Sequence, residues 1–284
     1  MFALLLANGV NSAALLLLTA LGLVIIMGHM KVVNLAHGEL IMVGAYAAYY
    51  ISTVLKLPYV FSIIGAFLIT GLLGAAVERL VIRRLYGKTG ETLLATYALS
   101  LVIQQTVRFI SGPELKYVNI PLDGTLELGG VPVPYYNLVI LLVAALALLA
   151  TWLLIHKTTL GKQIRAITEN RSMTGCLGIN TQRIDTITFT YGTALAGLAG
   201  AMLAPIRTVS PFMGVQYLTD AFLNVVIGGV DSLFGTAFSA ALIGESVTVL
   251  GGFWNDVGAK ILIFVIIIIL IRFKPEGMFS KEKR

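Results

Sequence analysis

Nearly the whole chain is a succession of apolar runs, each about as long as a membrane-spanning helix. Such a helix needs about 20 apolar residues, and its backbone polar groups are satisfied in lipid by internal hydrogen bonds. A shorter apolar run, residues 217–230, ends in Gly228-Gly229 and is typical of a broken or re-entrant helix. The sequence therefore predicts an all-α polytopic integral membrane protein, with one transmembrane domain over residues 1–284. About eight spans are expected: residues 4–28, 34–55, 58–82, 92–111, 135–156, 185–206, 232–252 and 256–272.

The composition agrees with this class and argues against enzymes and metal proteins. Hydrophobic residues make up 57% of the 284 residues and charged residues only 12%, which no soluble domain of this length matches. The three histidines, His29, His37 and His156, are too scattered for a metal site. The segment Gly87-Lys88-Thr89 lacks the earlier glycine of a phosphate-binding loop, because Ile82 stands there. We therefore expect no catalytic residue, no cofactor, no metal and no nucleic-acid partner.

Basic residues fall in three clusters, at residues 79–88, 157–183 and 272–284. The positive-inside rule places all three clusters in the cytoplasm, and it places the acidic loop 112–134 outside. Counting crossings from these loops puts the N-terminus outside and the C-terminus inside, provided that residues 217–230 also cross. The first apolar run lacks a basic region before it, so we expect a retained helix and not a cleaved signal.

One polar stretch, residues 33–40, interrupts otherwise apolar sequence. It reads VNLAHGEL. On a helix Asn34 and His37 would share a face with Gly38 beside them, whereas Glu39 would project elsewhere. Polar groups at membrane depth usually face a bundle interior or a water-filled path, so we expect Asn34 and His37 near the solute path. Glu39 is expected to be structural, paired with Lys31 or capping backbone amides. The alternative is an interfacial loop whose polar residues only cap a helix.

A faint internal repeat links this stretch to a second one. Residues 33–38 (VNLAHG) align with residues 230–235 (VDSLFG), so that Asp231 corresponds to Asn34. Transporters are often built from such repeats, with the solute path at the repeat interface, although chance similarity between apolar segments would explain the match as well. With two amides inside spans, Gln104 and Asn224, the predicted substrate path comprises Asn34, His37, Gln104, Asn224 and Asp231.

Small residues recur every four positions along residues 185–206. They are Gly192, Ala196, Gly200 and Ala204. Small residues at this spacing let helix backbones approach closely. We expect this stripe to be a packing face.

The basic segment 157–183 has apolar residues at helical spacing and a polar surface that includes Arg165, Glu169 and Asn170. Gly178 is well placed to end that helix. An amphipathic helix could lie flat on the membrane or dock into a groove on a partner protein. Because an acid and an amide stand among the basic residues, a shaped protein contact is the better explanation.

Several segments together resemble the permease subunits of bacterial ABC importers of the branched-chain amino-acid family. They are VNLAHGELIMVGAY (33–46), ERLVIRRLYG (78–87), TLLATYALSLVIQQ (92–105), LGKQIRAITENRSMTGCLGIN (160–180) and VVIGGVDSLFGT (225–236). Within that family, residues 84–108 and 165–173 look more like the urea-importer permease. The resemblance implies a second homologous permease, two cytoplasmic ATPase subunits and a periplasmic solute-binding protein. It also implies that residues 160–179 form a coupling helix, in which Arg165, Glu169 and Asn170 contact an ATPase subunit. The chain departs from the family in its short N-terminus.

The resulting prediction is a non-catalytic permease of the bacterial inner membrane that translocates urea. Urea is neutral and needs only amide and hydroxyl partners. A branched-chain amino acid, the alternative solute, would need a paired cation and anion and a roomier apolar pocket. Candidate cations within the spans are sparse: Arg108, Arg207 and Lys260. A stand-alone channel or secondary transporter is the alternative from another class, and it would have no use for a coupling segment.

Overall fold

The computed structural model describes residues 2–128, 130–274 and 277–279, and these residues are mostly helical. A π-helical turn, Tyr50–Val54, continues the helix that begins at His37, and a 3-10 turn, Ile82–Arg84, follows the helix that ends at Leu80. An antiparallel hairpin of β1 (Thr125–Leu128) and β2 (Val131–Pro134) precedes the helix that begins at Tyr135. The helices are α1 (Phe2–Met30), α2 (His37–Tyr49), α3 (Tyr59–Leu80), α4 (Thr89–Ser111), α5 (Tyr135–Lys157), α6 (Thr159–Glu169), α7 (Arg171–Cys176), α8 (Thr181–Leu203), α9 (Met213–Gly228), α10 (Leu233–Phe253) and α11 (Asp256–Phe273).

The predicted all-α class is confirmed, but the count of eight spans is not exact. Within the described ranges, six helices are long and apolar enough to cross a membrane: Ala3–Met30, Tyr59–Arg84, Thr89–Ser111, Tyr135–Lys157, Thr181–Leu203 and Leu233–Phe253. The segment Val257–Leu270 is a shorter apolar helix. The predicted span 34–55 is not one continuous α-helix, because α2 begins only at His37 and has 13 residues. Residues 31–36 are not helical, and Lys31 has a left-handed backbone (φ 53°).

The run predicted as a broken or re-entrant helix is short but unbroken. It forms α9, which has 16 residues. The helix ends at Gly228 because Gly229 has a φ of 96°, a conformation that L side chains rarely adopt. The break therefore lies after this helix and not inside it.

Helices α1 and α8 form the centre of the bundle, and the small-residue stripe of α8 explains why. The most apolar windows of α1 and α8 are 67% and 78% buried, against 17% for α4. A Cβ atom added to Gly192 would lie 2.8 Å from the carbonyl oxygen of Gly22, and one added to Gly200 would lie 2.0 Å from that of Ile41. These distances leave no room for a side chain, so the predicted packing face is confirmed.

Helix α9 lies between the starts of the two helices that carry the repeated motif. A Cβ atom on Gly38, in the first turn of α2, would lie 2.1 Å from the carbonyl oxygen of Gly214 near the start of α9. A Cβ atom on Gly235, in the first turn of α10, would lie 1.8 Å from that of Gly228. Both repeated motifs therefore precede helix starts that contact α9.

The first two basic clusters meet at one end of the bundle. Arg83 donates a hydrogen bond of 2.7 Å to Thr186 at the start of α8, and the His29 carbonyl at the end of α1 accepts one of 2.9 Å from Thr168 in α6. At the other end, the loop after α4 pairs with the loop after α8 through Lys116 and Val209. This grouping agrees with the predicted topology; which end faces the cytoplasm stays a prediction. Of the third cluster, Lys281, Lys283 and Arg284 lie outside the described residues.

Candidate substrate cavity and coupling surface

Asn34 and His37 are both buried, but they do not share a helix face. Asn34 lies before α2, where its Oδ1 accepts a 3.0 Å hydrogen bond from the backbone N–H of Ala36. His37 is the first residue of α2, and its Nε2 donates to the carbonyl of Thr19 at 2.9 Å. The shared face was expected for a helix that starts earlier, and the turn at residues 31–36 rules it out. The contact of Asn34 fits the alternative interpretation, a polar side chain that shapes the entry to a helix.

Glu39 is buried in the first turn of α2 and is not paired with Lys31. Its side chain lies beside Gly214 of α9, and Lys31 is exposed. A carboxylate in the first turn interacts favourably with the partial positive charge of a helix N-terminus. Its Oε2 makes no hydrogen bond with any described residue. The expected ion pair is therefore absent from this part of the chain.

The three other residues of the predicted substrate path lie apart from one another. Asn224 is fully buried, donates to the Leu16 carbonyl at 3.4 Å and accepts from Ser239, so it ties α9 to α1 and α10. Gln104 is buried on α4. Asp231 is exposed in the loop between α9 and α10. The structure therefore does not bring the five predicted residues together.

A cavity with a volume of about 820 Å³ lies between α1, α9, α10 and α11. None of the five predicted residues lines it. However, Thr19 and Leu16 line the cavity, so the hydrogen-bond partners of His37 and Asn224 belong to its wall. The wall is largely apolar: Leu5, Leu15, Leu16, Leu203, Leu223, Ile243, Val247, Val257, Ile261, Phe264 and Ile267.

An ion pair stands in this apolar wall. The Lys260 Nζ on α11 lies 2.7 Å from Oδ1 and 2.8 Å from Oδ2 of Asp220 on α9. The Asp220 side chain is 13% exposed and that of Lys260 is 32% exposed, so the charges are partly removed from water yet reachable from the cavity. Arg207 also lines the cavity. Thr248 of α10 and Ser12 of α1 also line the cavity, and Thr248 donates a hydrogen bond of 3.3 Å to Ser12.

Sequence reasoning missed this pairing. The sequence pattern identified Lys260 only as a candidate cation within the spans, and it did not single out Asp220. The available signal was the presence of one acid and one base inside two separate apolar runs, since charges at membrane depth usually pair with each other. Which charges pair depends on how the helices pack, and helix packing cannot be read from the pattern.

The basic segment 157–183 forms two helices and not the single helix expected. Asn170 has an extended backbone (φ −150°) between α6 and α7, and its Oδ1 accepts a 3.0 Å hydrogen bond from the N–H of Met173. Asn170 therefore caps α7, a role that its side chain commonly fills. Gly178, with a φ of 82°, lies in the turn after α7, as predicted. Arg165 and Glu169 are exposed on α6, where Arg165 also donates to the Ile155 carbonyl.

A buried carboxylate connects the end of α3 to the start of α8. Glu78 is fully buried, and its two oxygens accept hydrogen bonds from Arg83 (3.1 Å), Thr186 (2.7 Å) and Tyr86 (3.2 Å). Burial, together with the nearby Asp185 and Glu78 carboxylates, raises the pKa of Tyr86, so this hydroxyl remains a donor at neutral pH. Removing any partner would leave polar groups buried without compensation.

The same network holds α7. Arg171, the first residue of α7, pairs with the buried carboxylate of Asp185 on α8. Its guanidinium also lies 4.8 Å from the centroid of the Tyr86 ring, in cation–π geometry. The segment α6–α7 is thus attached to α8 directly, and to α3 through Tyr86 and Glu78.

A family model described as "Branched-chain amino acid transport system / permease component" matches residues 5–271. Over 293 residues the chain is 28% identical to the high-affinity branched-chain amino acid transport system permease protein BraD of Pseudomonas aeruginosa, with 98% of this chain and 95% of BraD covered. It is 26% identical to the corresponding permease LivH of Salmonella typhimurium, with 97% and 94% covered.

A solved structure described as "PsaBC from Streptococcus pneumoniae in complex with Fab" superposes on the chain with a TM-score of 0.53 and 15% identity. The superposition covers 93% of this chain and 90% of that one. At this identity the likeness concerns the fold alone.

Proposed function

Since the chain belongs to the family of branched-chain amino acid transport permease components, and is thus a non-catalytic ABC importer subunit, we propose that it translocates a branched-chain amino acid. This solute was the alternative in the sequence-based prediction, and urea was the first choice. BraD and LivH are both named for branched-chain amino acids, which supports the alternative. The family assignment gives no support to a stand-alone channel or secondary transporter.

The observation that carries this proposal is the ion pair in the apolar cavity. Leucine is a zwitterion with an isobutyl group. Asp220 offers a partner for its ammonium group, and Lys260, together with Arg207, offers partners for its carboxylate. The apolar wall suits the isobutyl group, and about 820 Å³ falls in the usual range of ligand pockets. These are the paired charges and the roomier pocket that an amino acid requires and urea does not.

His37 and Asn224 are proposed to shape this cavity and not to touch the solute. His37 holds the backbone of Thr19, and Asn224 holds that of Leu16, and both of these residues line the cavity. Each side chain therefore fixes the position of the α1 wall. We do not assign Asn34, Gln104 or Asp231 to the path, because none of them lines the cavity.

The exposed surface of α6–α7 is proposed as the contact with an ATPase subunit. Arg165 and Glu169 offer charges on α6, and Asn170 sets the angle between α6 and α7. The proposed assembly adds a second homologous permease, two cytoplasmic ATPases and a periplasmic solute-binding protein in a bacterial inner membrane. The N-terminus would be periplasmic and the C-terminus cytoplasmic, following the positive-inside rule.

Urea remains the second candidate because residues 84–108 and 165–173 resemble the urea-importer permease. The deciding experiment reconstitutes the complete complex in vesicles with its cognate binding protein. Uptake of labelled leucine, isoleucine, valine and urea is measured with and without ATP. We expect ATP-dependent uptake of the amino acids; ATP-dependent uptake of urea without leucine would replace this proposal by the second candidate.

A further inference from the structure

A second cavity, of about 450 Å³, lies between the end of α3 and the start of α8. Three of its lining side chains are arginines: Arg79 and Arg83 from α3 and its 3-10 turn, and Arg183 from α8. This cavity is separate from the substrate cavity and plays no part in the proposed transport step. We propose that it binds the phosphate of an anionic phospholipid headgroup.

The charge balance of the cavity favours an anion. Arg83 pairs with Glu78, so its charge is compensated within the chain. Arg79 and Arg183 are exposed, and neither forms a salt bridge with the part of the chain that the structure describes. Two guanidinium groups are thus available, and guanidinium groups match phosphate geometry through paired N–H donors.

The helix surfaces beside the arginines favour a lipid over a free anion. On α3, Leu72 is 71% exposed and lies on the same helix face as Arg79, two turns away. On α8, Ile187 lies one turn from Arg183 and lines the cavity itself. Each helix therefore presents an exposed apolar residue in line with its arginine, as required for acyl chains that run along the helices from a phosphate in the cavity.

The position in the bundle agrees with this ligand. The cavity lies at the end where the first two basic clusters meet, next to the contact between Arg83 and Thr186. Basic pockets between membrane helices at this level bind lipid headgroups. A bound lipid would join α3 and α8 beside the buried Glu78 network.

The test is native mass spectrometry of the complete importer complex in detergent, with phosphatidylglycerol, phosphatidylcholine or inorganic phosphate added. The double variant Arg79→Gln/Arg183→Gln should bind phosphatidylglycerol about tenfold more weakly than the unchanged protein. A matched control, Lys31→Gln/Arg84→Gln, removes the same charge from exposed residues at the same end that do not line the cavity. The affinity of this control variant for phosphatidylglycerol should change less than about twofold. The affinity of the variant Arg79→Lys/Arg183→Lys for phosphatidylglycerol should lie between those of the unchanged protein and the Gln double variant, because the charges are kept but the paired N–H donors are lost.

Four results would overturn the proposal. Equal loss of phosphatidylglycerol binding in the test and control variants would indicate a general charge effect. Unchanged binding in the test variant would show that the lipid does not bind in this cavity. Displacement of the lipid by millimolar inorganic phosphate would assign the cavity to a free anion. Loss of ATPase subunits from the test variant, with lipid binding unchanged, would assign the arginines to a protein contact.

Discussion

The pair of Asp220 and Lys260 gives the sharpest test of the substrate cavity. Replacing Lys260 by Gln leaves a carboxylate that is 13% exposed without its cation. Breaking a fully buried pair costs about 3–5 kcal/mol, and a fully exposed pair contributes about 0–1 kcal/mol. Because Lys260 itself is 32% exposed, we expect Lys260→Gln to lower the free energy of unfolding by about 1–3 kcal/mol.

The double variant Asp220→Asn/Lys260→Gln separates stability from transport. It removes both charges, so no unpaired ion is left, and it should be more stable than the single Lys260→Gln variant. Its transport should nevertheless be impaired, because the zwitterion loses both charged partners. A hydrogen bond to a charged group contributes about 1.5–3 kcal/mol. We therefore expect the KM for leucine uptake to rise at least about tenfold.

Two measurements check this prediction: thermal unfolding of the purified protein, and leucine uptake by vesicles containing the complete complex. The matched control is Lys88→Gln/Glu91→Gln, which removes an ion pair whose side chains are 58% and 56% exposed. We expect this control to change the free energy of unfolding by less than about 1 kcal/mol and to leave leucine uptake unaltered. A wild-type KM in the Asp220→Asn/Lys260→Gln variant would refute the assignment of the cavity to an amino acid.

Three further predictions concern coupling and packing. Replacing Arg165 and Glu169 by Ala should leave ATP hydrolysis but abolish most leucine uptake; normal uptake would mean that α6 is not the coupling contact. Arg171→Gln should also lower uptake per ATP hydrolysed, because α7 loses its ion pair to α8; an unchanged ratio would contradict this. Gly197→Ala places a Cβ atom 2.6 Å from the Ala66 carbonyl oxygen and should destabilise the protein by about 1–3 kcal/mol. Gly175→Ala, with no atom within 4 Å, is its control, and equal thermal unfolding of the two variants would refute the packing argument.

Much of the fold follows from local sequence. Long apolar runs become helices in lipid because only internal hydrogen bonds can satisfy their backbone groups, and each of the nine predicted apolar segments does contain helix. The small residues of α8 identified its packing face for a similar reason, since only small residues allow backbones to touch. The boundaries were less predictable: α2 starts late, and Asn170 divides the basic segment into α6 and α7. Both features depend on single turns that hydrophobic periodicity does not encode.

The residues of the candidate site, in contrast, could not be predicted from local sequence. By itself the sequence determined the class of protein, the family resemblance, the clustering of basic residues and the segment proposed for coupling, because these depend on residues that are close along the chain. Only the tertiary structure decided which polar groups meet. Asp220 and Lys260 lie 40 residues apart and on different helices, whereas Asn34 and Asp231, which the repeat linked, lie in a buried turn and an exposed loop. The physical reason is that pairing of charges across helices depends on helix positions and rotations, which the whole packed bundle fixes.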